Sequence, residues 1–325
     1  MLKILVTGST GLVGSEAVKF FTEKGHTVVG VDNNGRSYFF GTPKKTPQVH
    51  LDLRDSHAVF DLIQRGNFDV IVHAAAQPSH DWSKKEPITD FEVNTVATLY
   101  LLEAVRLFAP NAIFVHCSTD KVYGENMKRA GLIETATRYS SDMPYNEKTG
   151  IDLAVHSLFG VSKAAADLYV QEYGYQFGIK TVCFRCGCIT GSQHEGAEQH
   201  GFLAYLTKCI KEGIPYKIFG YKGKQIRDII HAHDLISAMW EFIQNPKTSA
   251  VYNMGGGYAR SVSILEAIKR IEEETGKTAI VEYVETERFG DRQWDIHDVS
   301  KFQADYPNWK YEYSLSDIIK DLCRN

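Results

Sequence analysis

The chain is expected to fold as an α/β protein, a Rossmann-like doubly wound parallel sheet with a smaller mixed α/β substrate-binding lobe at its C-terminal side. Three observations predict this. Short β-branched runs alternate with helical stretches through the first half, a glycine-rich turn separates the first run from the first helix, and an aspartate closes the second run.

In order, KILVTG (3–8) reads as a strand and LVGSEAVKFFTEKG (12–25) as a helix that Gly25 stops. TVVGVD (27–32) and QVHLDL (48–53) follow as strands, then a helix near Ser56–Arg65 ended by Gly66 and Asn67. DVIVHAAA (69–76), a helix near Val93–Phe108 and AIFVHCS (112–118) continue the rhythm, and crossovers of this kind make the strands parallel. The polar segment 125–152 is too long for an idle connection and is expected to cover a substrate. Beyond it come the helix that starts with FGVSK (159–163), a strand at TVCFRCG (181–187), and helices around Phe202–Glu212, Asp234–Gln244 and Ser263–Thr275. With no repeat and no flexible linker, the expected division is a dinucleotide domain over 1–180 and a substrate lobe over 181–325, interleaved with the sheet.

The 325 residues, 43% hydrophobic, suffice for a sizeable core. A net charge of -4 with 36 scattered basic residues offers no stripe for nucleic-acid phosphates. No apolar run is long enough to cross a bilayer and no charged leader precedes the first strand, so a cytoplasmic protein without membrane or nucleic-acid partners is expected. Cys183 and Cys186 have metal-pair spacing, but no second pair matches them, and no metal site is expected.

Gly8, Gly11 and Gly14, with Thr10, Leu12 and Val13 between them, let a backbone approach a pyrophosphate at a helix amino end. Asp32, eighteen residues beyond Gly14, suits the ribose hydroxyls and favours NAD over NADP. Asn33 and Asn34 are placed with it. Arg36 either holds a 2′-phosphate or stacks on adenine. Asp52 either reaches the adenine amino group or caps a helix, and Leu53, Ala74, Ala75 and Ala76 are assigned to the same site. An ordinary structural turn beside an unrelated aspartate is the plain alternative.

HAAAQPSHDW (73–82), HCSTDKVYGE (116–125) and FGVSK, with VDNNGRSYFFG (31–41) and CITGSQHEGAEQHGFLAYL (188–206), resemble the extended short-chain dehydrogenase/reductase family over nearly the whole chain. Within it the resemblance is to nucleotide-sugar 2-epimerases that act on CDP-linked deoxysugars. It implies an NAD-dependent isomerase that transiently oxidises a sugar carbon, carbon 2 in that branch, and returns hydride to the opposite face. It also implies a homodimer or homotetramer. Thr119 matches the hydroxyl that bonds the sugar oxygen, and Lys163 the lysine that holds the nicotinamide ribose. Gln77, Ser79, His80 and His200 match substrate-facing positions, Gln193 and Phe202 the nucleotide pocket, and Arg227 and Arg292 the diphosphate-binding arginines.

Phe159 stands where that family has its catalytic tyrosine, and a phenyl ring cannot move a proton; losing a positioned acid/base costs roughly 10²- to 10⁴-fold in rate. Three accounts stay open: a deliberate tyrosine-to-phenylalanine change that traps substrate, another base (Asp120, Lys121 or Tyr123), or a protein that only binds. Lys121 replaces the second carboxylate of the Thr-Asp-Glu run typical of the family's dehydratases, which argues against dehydration. A nucleotide-sugar 4-epimerase, a reductase and a non-catalytic NAD sensor are the other readings.

Overall fold

The computed structural model describes residues 1–40, 48–127, 131–194, 196, 201–288 and 290–324. Five strands come from the first half: β1 (Lys3–Thr7), β2 (Thr27–Asp32), β3 (Val49–His50), β4 (Val70–His73) and β5 (Ile113–Thr119). Thr181–Cys186 and Ala250–Met254 complete the sheet, whose order is Ala250–Met254, Thr181–Cys186, β5, β4, β1, β2, β3. Every adjacent pair is parallel. The winding reverses between β1 and β4, and such a switch point opens a crevice at the carboxyl ends of the strands.

Strand alternation divides the core. Ile4 and Val6 pack with Phe20 and Phe21 of α1 (Leu12–Glu23) and with Leu235 and Met239 of the helix Ala232–Gln244. Leu5 points the other way, toward Val59, Leu101 and Val170 of three helices on the opposite face. Burial on both faces is why these strands read as continuous apolar runs. The helix Ser56–Gly66 starts at Asp55, whose carboxylate accepts the Ala58 N–H at 3.1 Å, and ends where Asn67 turns left-handed.

The expected helix 93–108 is interrupted: Glu92–Val96 is π-helical and Ala97–Phe108 is α-helical. The widened turn brings Asn94 and Thr95 onto the next helix, with Asn94 Nδ2 3.1 Å from Ser162 Oγ and Thr95 Oγ1 2.8 Å from the Ser162 carbonyl.

In the second half, Ile226–His231 pairs with Cys188–Thr190, Ser261–Ser263 and Trp294–Asp295, while Tyr216–Phe219 pairs with Val281–Val284. Helices Phe202–Glu212, Ile264–Thr275 and Leu315–Arg324 close a separate core around Leu206, Ile229, Ile271 and Ile318. Ala250–Met254 returns from this half to the main sheet.

The segment 125–152 does not cover a substrate cleft, since none of its described residues lines one. Instead Met127 and Tyr145 join Trp294 and Ile296 in a buried cluster, and the Tyr145 hydroxyl donates to the Trp294 carbonyl at 2.5 Å. Its polar sequence straps the lobe while these few apolar residues anchor it. Among the described residues no helix is long and apolar enough to cross a membrane.

Candidate active site

A cleft of about 490 Å³ runs from the turn between β1 and α1, past the end of β5, to the strand Ile226–His231 of the lobe. At its first end the glycines are sterically required. A Cβ on Gly8, whose φ is +67°, would lie 2.7 Å from the Ala75 backbone, and one on Gly14 would lie 2.0 Å from the Gly8 carbonyl oxygen. Gly11 begins α1 with no side-chain cap, and no acidic residue occupies the first turn. Gly11, Leu12 and Val13 line the cleft, so the positive end of the helix faces it.

Asp32 ends β2 and accepts the Thr10 N–H at 3.0 Å and the Asn34 N–H at 2.7 Å. Burial would raise the Asp52 pKa, but hydrogen bonds from Arg54 and Asn33 outweigh it and lower the pKa to about 2. Asp55, not Asp52, is the helix cap. Thr10, Asn33, Arg36, Leu53, Ala74, Ala75 and Ala76 line the same end. Asn34 does not; its φ of +57° turns the chain there. An uncapped helix end for a diphosphate beside carboxylates for ribose and adenine fits a dinucleotide.

At the centre, Thr119 closes β5 and donates from Oγ1 to Asp120 at 3.0 Å. Phe159 and Lys163 share one face of the helix Leu158–Phe177. Lys163 is buried, which lowers its pKa, and its ammonium donates to the Cys117 carbonyl at 3.0 Å. The Phe159 ring is also buried and packs edge-on against His80. Thr119, Asp120, Lys121, Phe159, Lys163 and His80 all line the cleft.

Asp120 is ion-paired to Lys121 at 3.0 Å and to Arg292 at 2.9 Å. Burial raises its pKa, but Lys121, Arg292 and His297 together hold it well below the usual carboxylate range, which makes it a poor proton acceptor. Lys121 also lies 3.4 Å from Asp295. Tyr123 is excluded as a base. It is fully buried away from the cleft, donates to Asn253 at 2.6 Å, and burial pushes its pKa up to about 12.

Asp120, Asp295 and His297 approach one another as metal ligands could. Lys121 and Arg292 already neutralise both carboxylates. Burial lowers the His297 pKa, but Asp228, Asp295 and Asp120 overcome it and raise it to about 9, so the imidazole carries a proton that sets it within the charge network of these carboxylates.

Several expected substrate contacts fall elsewhere. Gln77 is buried outside the cleft, donating to Asp90 at 2.6 Å, because it braces the turn before His80. Ser79 is spent as the cap of the helix His80–Lys85. Gln193 is exposed and its neighbour His194 lines the cleft instead, since the turn after Thr190 points the two side chains apart. His200 lies outside the described residues. Phe202 and Arg227 do line the cleft, Arg227 ion-paired with Asp291. Arg292 does not, because it is buried against Asp120; Arg288, which sequence reading missed, lines the cleft in its place. Cys186–Thr190, missed as well, forms the wall between centre and lobe.

A doubly wound sheet with an uncapped glycine turn at its switch point, opening onto a second lobe, defines a dinucleotide-dependent enzyme. The chain belongs to the NAD dependent epimerase/dehydratase family, whose model matches residues 4–255. NAD is its cofactor, and its class is the isomerases of that family. The CDP-paratose 2-epimerase of Salmonella typhi is 35% identical over 288 residues, 84% of either chain. The structure is similar to that of the UDP-glucuronic acid 4-epimerase of Bacillus cereus in complex with UDP-glucuronic acid and NAD, with a TM-score of 0.77, 26% identity and coverage of 99% of this chain and 98% of the other. It also resembles the UDP-glucose 4-epimerase of Thermus thermophilus in complex with NAD, at a TM-score of 0.82, 24% identity and the same coverage.

Proposed function

We propose that this chain is a nucleotide-sugar epimerase that inverts carbon 2 of a CDP-linked deoxysugar. The observation that carries the reading is one continuous cleft in which the glycine turn, the Thr119–Lys163 pair and the lobe cations Arg227 and Arg288 face a common space. The similarity to CDP-paratose 2-epimerase supports the choice of CDP and of carbon 2.

In this reading residues 1–180 hold the dinucleotide and 181–325 hold the sugar nucleotide. Bound NAD supplies the acceptor and later the donor of a hydride. Thr119 positions the sugar hydroxyl that is oxidised, and the Lys163 ammonium holds the nicotinamide ribose. Arg227 and Arg288 offset the diphosphate charge. The Lys121 ammonium, 3.0 Å from Asp120, occupies the place where a dehydratase of this family needs a second carboxylate, so water is not eliminated. Exposed Leu107, Phe108, Val161, Leu168, Tyr169 and Phe177 lie on two neighbouring helices and suit a homodimer contact.

Proton NMR of CDP-paratose incubated with NAD and the protein, or its Phe159→Tyr variant, tests the reading. Inversion at carbon 2 by either protein supports it. If both bind NAD and neither alters the sugar, the substrate assignment is wrong.

A further inference from the structure

Lys163 is buried at the floor of the cleft, and an ammonium held there needs acceptors beneath it. It has three N–H donors. One meets the Cys117 carbonyl at 3.0 Å, and a second meets Nε2 of His116 at 3.4 Å. Among the described residues no other acceptor meets Nζ, so one N–H is left for the cleft that Lys163 lines.

His116 lies on β5 opposite His73 of β4. Both imidazoles are buried, with ring centroids 5.3 Å apart, but their hydrogen bonds give them different work. The Thr98 hydroxyl donates to the Asn94 carbonyl at 2.7 Å, so at 2.9 Å from His73 Nε2 it accepts, and that nitrogen carries the proton. His73 Nδ1 is then an acceptor and takes the Thr7 hydroxyl at 2.7 Å, while Thr7 Oγ1 accepts the Ala75 N–H at 3.3 Å. His73 is thus committed at both nitrogens to the frame around the glycine turn. His116 is committed only to Lys163, and its Nδ1 meets no partner among the described residues. Burial above all, then Lys163 and His73, hold the His116 pKa well below its usual value. The ring is neutral, and with an ammonium on Nε2 its one proton sits on Nδ1. A buried N–H without a partner is costly, and a leucine would be spared that cost, so packing does not account for the imidazole.

We propose that His116 is a positioning residue for the cofactor: its Nε2, together with the Cys117 carbonyl, aims the Lys163 ammonium at the nicotinamide ribose. The proposal rests on the reading above in which Lys163 holds that ribose. Two acceptors at fixed places on one strand set two of the three N–H directions, and the tetrahedral nitrogen then fixes the third. Without the imidazole the ammonium keeps one anchor, and its flexible four-carbon stem can turn about it. One N–H is also left unpaired in a buried floor, which disfavours the charged form that donates most strongly to a ribose hydroxyl.

The test is calorimetric titration with NAD and with ADP, which lacks the nicotinamide ribose. The proteins are the full chain, His116→Leu, His116→Phe, His116→Gln, Lys163→Met, and Lys163→Met combined with His116→Leu. Two apolar variants of different volume separate loss of the acceptor from a packing defect, and glutamine restores an acceptor oxygen. Both apolar variants should bind NAD about tenfold more weakly, the scale of one hydrogen bond to a charged group, while ADP binding is unchanged. His116→Gln should recover most of the loss. In the Lys163→Met background His116→Leu should cost nothing further, because His116 acts through the ammonium. A merely structural role would weaken both ligands and would not be rescued by glutamine. If the apolar variants bind NAD as the parent does while Lys163→Met binds it weakly, the proposal is overturned and the reading of Lys163 stands. It is overturned as well if ADP weakens along with NAD, if His116→Gln restores nothing, or if the two losses add in the double variant. If Lys163→Met itself leaves NAD binding unchanged, both fail together.

Discussion

Arg292 and Asp120 form a buried ion pair beneath the centre of the cleft, Nη2 to Oδ2 2.9 Å, with each side chain no more than 6% exposed. The pair joins a helical turn at the end of β5 to the lobe, since the two residues are 172 positions apart. Arg292 lies 3.6 Å from Asp295 as well, so one guanidinium serves two carboxylates. Removing it leaves buried negative charge with Lys121, Arg227 and His297 as the remaining compensation. Arg292→Met should therefore destabilise the fold by about 3 kcal/mol, the low end of the range for breaking a buried pair. A urea unfolding curve measures it. If the variant were as stable as the parent but bound nucleotide sugar poorly, Arg292 would be a phosphate ligand after all.

His297 gives the stability a pH dependence. Its Nδ1 lies 2.8 Å from Asp228 Oδ1. Burial lowers its pKa, but Asp228, Asp295 and Asp120 raise it from 6.5 to about 9. A folded pKa above the unfolded one means the folded state holds the proton more tightly. The stabilisation is complete below pH 6.5 and is lost as pH rises through about 9. Each tenfold gain in proton affinity is worth about 1.4 kcal/mol, which makes the contribution about 3 kcal/mol. Melting temperatures of the parent and of His297→Gln, compared across that window, should converge as pH rises. A constant difference would show that the imidazolium is not the source.

The parallel sheet and the glycine turn were legible because both are local: β-branched runs, Gly8 to Gly14 and Asp32 are read within a few residues of one another. The lobe cations were not. Arg288 and Arg292 stand four residues apart in ERFGDRQ, and nothing local tells which side chain turns to the cleft and which meets Asp120. Gln77 and Ser79 sit in the right loop, but remote Asp90 and the local N–H of Trp82, which Ser79 caps, claim their polar atoms. The role of the segment 125–152 is hidden for the same reason. Its polar composition is compatible with covering a substrate or with strapping a lobe, and only the remote Trp294 and Ile296 decide between them.

Gly14 offers a sharp steric test of the dinucleotide end. A Cβ there would sit 2.0 Å from the Gly8 carbonyl oxygen, a backbone atom that cannot move aside without opening the turn. Gly14→Ala should weaken NAD binding by more than tenfold, about 1.4 kcal/mol, in a calorimetric titration. An unchanged Kd would mean that the turn tolerates displacement and does not shape the diphosphate site.

Asp32 should decide between NAD and NADP. Its carboxylate sits at the end of β2 in the cleft wall, oriented by the N–H groups of Thr10 and Asn34 at 3.0 and 2.7 Å. In that position it can accept hydrogen bonds from the ribose hydroxyls and repel a 2′-phosphate. Asp32→Asn removes the charge and the repulsion but keeps a single carbonyl oxygen, so one of the two backbone N–H groups, which bond to different carboxylate oxygens, loses its acceptor. Arg36 lines the same end of the cleft and brings a positive charge to the added phosphate. The ratio of the NADP to the NAD dissociation constant should fall by about tenfold or more in this variant, a change of about 1.4 kcal/mol in preference. Titrating each cofactor against parent and variant measures the ratio directly. Should it stay the same while both cofactors bind more weakly, Asp32 supports the turn alone and the ribose is read by Asn33 or Asp52.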